Sequence, residues 1–333
     1  MDIIAAVPTA STRDAVSMLK ALADPGRLLL ARLLLEGTLN VTELTEVLDA
    51  RQSTVSRHLR ILLDAGLLQD RREGRLVFYG WGNELPLAAA QLKGWVATNA
   101  GPLPEATRRR LALAWERRRE RSVAFFATVD AADPAAAWLG SPDCLPSLVD
   151  AVPRDATVAD VGTGTGRVLP SLRERTRTVI GIDASREMLD EARGRLAALG
   201  IEDVDLRLGD MAHLPLDSGE VDALLMNMAL HHAAEPRAVL REAHRVLSPG
   251  GLLLLGDFLP HNEEWMREKL ADQWLGFAPA DITHWLEAAG FVDVELTPMN
   301  PDLPGALSVF VARAVRRDSA TVQVLTPQPR SGA

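Results

Sequence analysis

Apolar positions in the first hundred residues recur at helical spacing in short runs. From position 157 they gather into compact blocks that alternate with helical stretches. Ala15, Val16, Leu19 and Leu22 share one helical face, and Asp24-Pro25 ends that helix and starts a second over Arg27–Leu35, closed before Gly37. Asn40-Val41-Thr42 leads into E-L-T-E-V-L, and Gln52–Leu63 follows after a few residues, so two helices are joined by a tight turn. Beyond Gly66, L-L-Q-D-R-R-E-G-R-L-V-F-Y predicts two strands about Glu73-Gly74. Glu105–Phe126 mixes arginines with Leu111, Leu113 and Trp115 in a helix-favouring composition and predicts a connecting helix.

The second half reads T-V-A-D-V, R-V-L-P-S-L-R-E-R, T-V-I-G-I-D, E-M-L-D-E-A-R-G-R-L, D-L-R-L-G-D, D-A-L-L-M-N-M, R-A-V-L-R-E-A-H-R-V-L and G-L-L-L-L-G-D. Strand and helix alternate, which predicts a doubly wound α/β sheet with its ligand at the carboxyl ends of the strands. The expected class is therefore α/β multidomain. The expected segments are a helical domain with a hairpin at 1–98, a helical connector at 99–145 that could cover a pocket, an α/β domain at 146–315 and a disordered tail at 316–333.

A length of 333 residues suits two domains, and 47% hydrophobic with 24% charged residues excludes a disordered or fibrous chain. Cys144 is the only cysteine, which excludes an internal disulfide. The N-terminus lacks the basic flank and apolar run of a secretory signal, and the run Gly251–Gly256 is too short to span a bilayer, so a cytoplasmic location is expected. The net charge of −9 is uneven: residues 1–95 hold 11 Lys and Arg against 11 Asp and Glu, residues 96–130 hold 7 against 4, and the remaining 18 and 30 follow. A neutral N-terminal domain with clustered arginines remains compatible with DNA, because local potential governs contact.

On the second helix of the tight turn, Val55, Leu59 and Leu62 form an apolar back. Gln52, Ser53, Thr54, Ser56, Arg57, His58 and Arg60 form a polar front or its margins, suited to a major groove. Arg71, Arg72 and Arg75 near the hairpin tip suit phosphates or a minor groove, or a solvated hairpin. With A-L-A-D-P-G-R-L-L-L-A-R-L-L-L, Q-S-T-V-S-R-H-L-R-I-L-L-D-A-G-L-L and R-R-E-G-R-L-V-F-Y, residues 12–97 resemble the ArsR-type winged helix-turn-helix repressors. The resemblance implies operator binding as a homodimer, built here on Arg13–Leu22 and Glu84–Val96. Neither E-L-T-E-V-L nor E-L-P-L-A-A-A-Q-L-K-G-W-V holds Cys or His, so no metal site is expected where metal-sensing members carry theirs. The arginines of Glu105–Phe126 read either as a second DNA-contacting surface or as a salt-bridged helix face.

Gly162, Gly164 and Gly166 follow the first strand of the α/β half, where missing Cβ atoms let a ligand approach the helix start. Asp160 lies in that strand, Asp183 ends the second, and Gly209, Asp210 and Met211 end the third. One carboxylate suits an ammonium and the other a ribose diol. With D-A-L-L-M-N-M-A-L-H-H and R-E-A-H-R-V-L-S-P-G-G-L-L-L-L-G-D-F, residues 146–314 resemble the class I S-adenosylmethionine-dependent methyltransferases, especially the small-molecule branch. The resemblance implies a Rossmann-like seven-stranded sheet closed by an antiparallel hairpin from F-V-D-V-E-L and A-L-S-V-F-V-A. It implies an S-adenosyl-L-methionine site including Thr163, Ala184 and Asn227, with Met188 and Leu230 packed around the cofactor or simply in the core.

Methyl transfer needs alignment first and a base only optionally. His231 and His232 are the candidate catalytic residues, with a structural role as the alternative, and His261 is a further candidate. M-N-M-A-L-H-H replaces the N-P-P-aromatic pattern of base methyltransferases, which argues against DNA-base methylation. A single cysteine argues against arsenite as acceptor. W-L-G-F at Trp274–Phe277 and T-H-W-L-E-A-A-G-F at Thr283–Phe291 read as an acceptor lid or an outer helix, and Phe125, Phe126 and Trp138 as a pocket cover or core. The sequence points to an operator-binding regulator whose C-terminal domain methylates a small molecule. A non-enzymatic sensor of S-adenosylmethionine or S-adenosylhomocysteine, and a methyltransferase whose winged helix only dimerises or recruits partners, are the alternatives.

Overall fold

The computed structural model describes residues 10–73, 75–82, 85–126, 144–299 and 307–317. In chain order come α1 (Ala10–Leu22), α2 (Pro25–Leu33), β1 (Leu39–Asn40), α3 (Val41–Leu48), α4 (Gln52–Asp64), β2 (Gln69–Glu73), β3 (Leu76–Gly80), α5 (Leu87–Asn99) and α6 (Glu105–Phe126). There follow α7 (Leu145–Ala151), β4 (Thr157–Val161), α8 (Leu169–Arg173), β5 (Thr178–Asp183), α9 (Arg186–Ala198), β6 (Val204–Leu208) and β7 (Val221–Asn227). The remainder is α10 (Pro236–Val246), β8 (Leu247–Phe258), α11 (Glu264–Lys269), α12 (Pro279–Ala289), β9 (Phe291–Met299) and β10 (Val309–Arg316). The chain forms two compact units: Met1–Phe125 with His231–Glu235 and Leu259–Asp281, and Phe126–Leu230 with Pro236–Phe258 and Ile282–Ala333. Trp138, Gly74, Glu84 and residues 318–333 of the expected tail lie outside the described residues.

In the first unit the helix starts are set by side chains. The Asp24 carboxylate accepts from Arg27 N at 2.9 Å to open α2. Asn40 and Glu43 exchange hydrogen bonds of 3.1 and 3.0 Å in a capping box that opens α3. Leu30, Leu33, Leu44, Val55, Leu59 and Leu62 are buried together, and β2 and β3 form an antiparallel hairpin extended by β1. The arginines of α6 run along α3: Arg110 pairs with Asp49 at 2.9 Å, Arg117 with Glu46 at 2.8 Å, and Arg118 grips Glu43 through two nitrogens at 2.7 and 2.5 Å. The salt-bridged reading of α6 fits this ladder.

The later stretches of the first unit pack on the same framework. Trp274 is buried, stacks on Phe78 of β3 at 5.2 Å and donates from Nε1 to the Ala233 carbonyl at 2.7 Å. Arg118 lies over Trp274 at 5.4 Å and donates to the Ala234 carbonyl at 2.9 Å. The W-L-G-F motif thus belongs to this core.

The second unit is a seven-stranded sheet in the order β6-β5-β4-β7-β8-β10-β9. β4 to β8 pair in parallel, and β10 inserts antiparallel between β8 and β9, giving the Rossmann-like sheet with its closing hairpin. Val158, Ala159, Leu224, Leu225, Leu253 and Leu255 are fully buried, as near-continuous apolar runs require of strands covered on both faces. Strand order reverses between β4 and β7, so the crevice for a ligand opens at their carboxyl ends.

Candidate functional site

Three glycines build that crevice. Gly162, Gly164 and Gly166 have φ of +73°, +51° and +70°, values that side chains with a Cβ disfavour. A Cβ on Gly162 would fall 2.6 Å from the Ala229 Cβ, and one on Gly166 would fall 2.9 Å from the Ala192 Cβ, whereas Gly164 faces open space. The outer glycines let elements close up; the middle one gives the loop its turn and its opening.

The loop is tied to the next strand end. Asp183 accepts from Gly164 N at 2.8 Å with one oxygen and from Ser185 N at 2.9 Å with the other. Ser185 caps α9 by accepting from Met188 N at 3.2 Å, which buries Met188. Burial raises the Asp183 pKa, against the backbone donors of Ser185, Gly164 and Ala184. Asp160 is 2% exposed, and burial, with the Asp183 charge adding, pushes its pKa up to about 7. The nearby Thr163 hydroxyl opposes that rise without a well-formed hydrogen bond, and Asp160 Oδ2 and Thr163 Oγ1 are buried without partners.

A buried carboxyl oxygen without a partner, beside an open glycine loop, is what a bound ammonium group would satisfy. Gly209 N donates to the Asp183 carbonyl at 2.9 Å, which brings Asp210 and Met211 to the next strand end, and Asp210 accepts from Ala212 N at 2.6 Å. Asn227 ends β7 and accepts from the Cys144 thiol at 3.1 Å, and Cys144 is fully buried. Leu230 is buried as well.

His231 and His232 end a 3-10 turn, Leu230–His232, and belong with Asp272 to the first unit. His231 Nε2 and His232 Nδ1 each lie 3.8 Å from Asp272 Oδ1, and all three side chains are nearly or fully buried. Burial, with His231 beside it, holds the His232 pKa well below the usual imidazole range. His261 also lies in the first unit, where Nδ1 accepts from Glu263 N at 3.3 Å. Sequence reading missed Asp272; the histidine doublet was the available signal.

On α4, Gln52, Ser53, Ser56, Arg57 and Arg60 are exposed and Thr54 half-buried. His58 is turned back, its Nδ1 3.8 Å from Asp24 Oδ1, and burial lowers its pKa. Arg72 and Arg75 are exposed, whereas Arg71 pairs with Asp281 at 2.9 Å and lies over Trp274 at 5.5 Å. Phe125 and Phe126 end α6; in the second unit Trp285 of α12 is buried under Arg237, at 5.4 Å.

Two family models match: bacterial regulatory proteins of the arsR family over residues 24–70, and a methyltransferase domain over residues 159–255. The chain joins an arsR-type helix-turn-helix domain to a methyltransferase domain. The Asp160, Asp183 and glycine-loop geometry fits S-adenosylmethionine as the cofactor of that domain. Over 162 residues the chain is 30% identical to an arsenite methyltransferase of Halobacterium salinarum, covering 46% of this chain and 41% of that protein. Over 154 residues it is 36% identical to an uncharacterized methyltransferase of Mycobacterium bovis, covering 45% and 59%. The chain thus spans less than two thirds of either relative. A S-adenosylmethionine-dependent methyltransferase structure from Aquifex aeolicus is similar at 23% identity and a TM-score of 0.44, over 61% of this chain and 98% of that one. Among the described residues no helix is long and apolar enough to cross a membrane.

Proposed function

We propose that the chain is a cytoplasmic, dimeric operator-binding regulator whose methyltransferase domain binds S-adenosylmethionine and methylates a small molecule. The observation that carries this reading is the buried Asp160 carboxyl, whose Oδ2 has no hydrogen-bond partner, beside Asp183 and the open Gly164. The bound cofactor supplies an electrophilic methyl group. Asp160 holds the amino-acid ammonium and Asp183 the ribose diol, while Gly162, Thr163, Gly164 and Gly166 give the backbone approach. Ala184, Met188, Gly209, Asp210 and Met211 border the adenine, and Asn227 closes the crevice at β7. With the cofactor bound, alignment of an acceptor by the site would supply the catalysis.

The burial of His231 and His232 beside Asp272 favours cofactor sensing without turnover as the second reading. Arsenite stays outside the proposal, since the single thiol of Cys144 is buried. On the DNA side, Gln52, Ser53, Thr54, Ser56, Arg57 and Arg60 enter the major groove, with Arg72 and Arg75 on the flanking backbone. The dimer face is the apolar groove lined by Leu19, Leu22, Leu28, Leu92 and Trp95, where Leu19 is 56% and Trp95 49% exposed.

Calorimetric titration of the full chain with S-adenosylmethionine and S-adenosylhomocysteine, with and without duplex DNA from its own promoter region, tests the reading. Both ligands should bind, and Asp183→Ala should weaken them at least tenfold. Absence of binding overturns the cofactor assignment. Binding that shifts with DNA but no turnover on any acceptor selects the sensor, because coupling between two sites is reciprocal.

A further inference from the structure

We infer that His231, His232 and Asp272 form a site for a divalent transition ion of the Zn2+ class inside the first unit. Their ligand atoms all lie within 4.8 Å of one another, and the two Asp272 Oδ1 separations are 3.8 Å. Those separations exceed a hydrogen bond. Ligands at about 2.1 Å around a tetrahedral ion stand roughly 3.4 Å apart, so small side-chain movements close the cluster on a metal. Two imidazoles and one carboxylate are a donor set for Zn2+ and its neighbours, not for Mg2+ or Ca2+.

Local structure converges these groups. Adjacent residues of a regular helix diverge, but in the turn Leu230–His232 the two rings stand 4.1 Å apart, inclined by 50°. The His231 carbonyl accepts from both Gln273 N at 3.0 Å and Trp274 N at 3.1 Å, which fixes the stretch carrying Asp272 against the turn. Ala271, directly before Asp272, has φ of +55°, a strained value for alanine. Strain held next to a buried carboxylate and two imidazoles is the mark of a functional constraint.

The site would also be linked to the winged helix, because Trp274 stacks on Phe78 and binds the Ala233 carbonyl within the same unit. An ion there would lock the turn and the Asp272 stretch onto the wing. This inference stands apart from methyl transfer.

The full chain, stripped by chelator, is dialysed against Zn2+ with metal analysis, and against Co2+ with visible absorption recorded. One tight equivalent and Co2+ ligand-field bands are expected. Asp272→Asn should weaken Zn2+ at least tenfold, Asp272→His, which supplies a replacement nitrogen, should retain it, and His213→Ala, an exposed histidine outside the cluster, should leave it unchanged. Circular dichroism of the variants must match the parent, and in the parent Zn2+ should slow amide exchange at 231–235 and 271–274. No bound Zn2+, binding undiminished in a folded Asp272→Asn, or no change in exchange would each overturn the site.

Discussion

In the second unit, Asp160 and Asp183 come near each other because the parallel strands β4 and β5 end side by side, and the glycine loop after β4 is local in sequence. In the first unit, Glu43, Phe78, Arg118 and Trp274 come together from four separate stretches, held by an ion pair and stacked rings. The first arrangement is enforced by sheet topology and tolerates an unsatisfied carboxylate that a ligand can claim. The second has no such frame, so its side chains must satisfy one another, and their removal is costly.

The largest effect should therefore come at Arg118, 4% exposed against Glu43 at 13%. Arg118→Ala leaves the carboxylate facing a buried space and takes away the donor to the Ala234 carbonyl. Stability should fall by roughly 3–5 kcal/mol, read by urea unfolding. Loss below about 1 kcal/mol would mean that the first unit does not depend on this junction.

Asp160 should show the opposite behaviour. Its carboxyl keeps a proton in the folded protein up to about pH 7 and in the unfolded chain only up to the ordinary aspartate value of 3.8. Folding takes up a proton between these values, so the ligand-free protein loses stability as pH rises through that window. Asp160→Asn should stabilise it, by about 3 kcal/mol more at about pH 8 than at about pH 5. The same substitution should weaken S-adenosylmethionine. A pH-independent gain would sink the assignment of the raised pKa to this carboxyl.

The contrast between the units also explains what could be read from the chain. T-V-A-D-V and T-V-I-G-I-D placed Asp160 within the first strand and Asp183 at the end of the second because each short apolar run, its polar residue and the residues that follow are contiguous. The R-V-L-P-S-L-R-E-R run predicted a helix of which only Leu169–Arg173 forms, with Pro at its start. Asp272 and Trp274 were beyond reach: their partners His231, Ala233 and Phe78 lie far away in sequence, and periodicity carries no information about such pairings. His58 shares the polar side of α4, yet its contact with Asp24 depends on how α2 and α4 cross.

The smallest effects belong to the outer rungs of α6. Arg110 and Arg117 are 37% and 55% exposed, and their partners Asp49 and Glu46 are 76% and 46% exposed. Such pairs contribute about 0–1 kcal/mol. Arg110→Ala with Arg117→Ala should therefore change stability by less than about 1 kcal/mol and leave operator affinity and its salt dependence unchanged. Arg57→Ala, on the free face of α4, should weaken operator binding and lower the slope of log affinity against log salt if it meets a phosphate. Were the α6 pair instead to flatten that slope by about one for each arginine removed, the ladder along α3 would have to open on DNA, and α6 would become part of the DNA-binding surface.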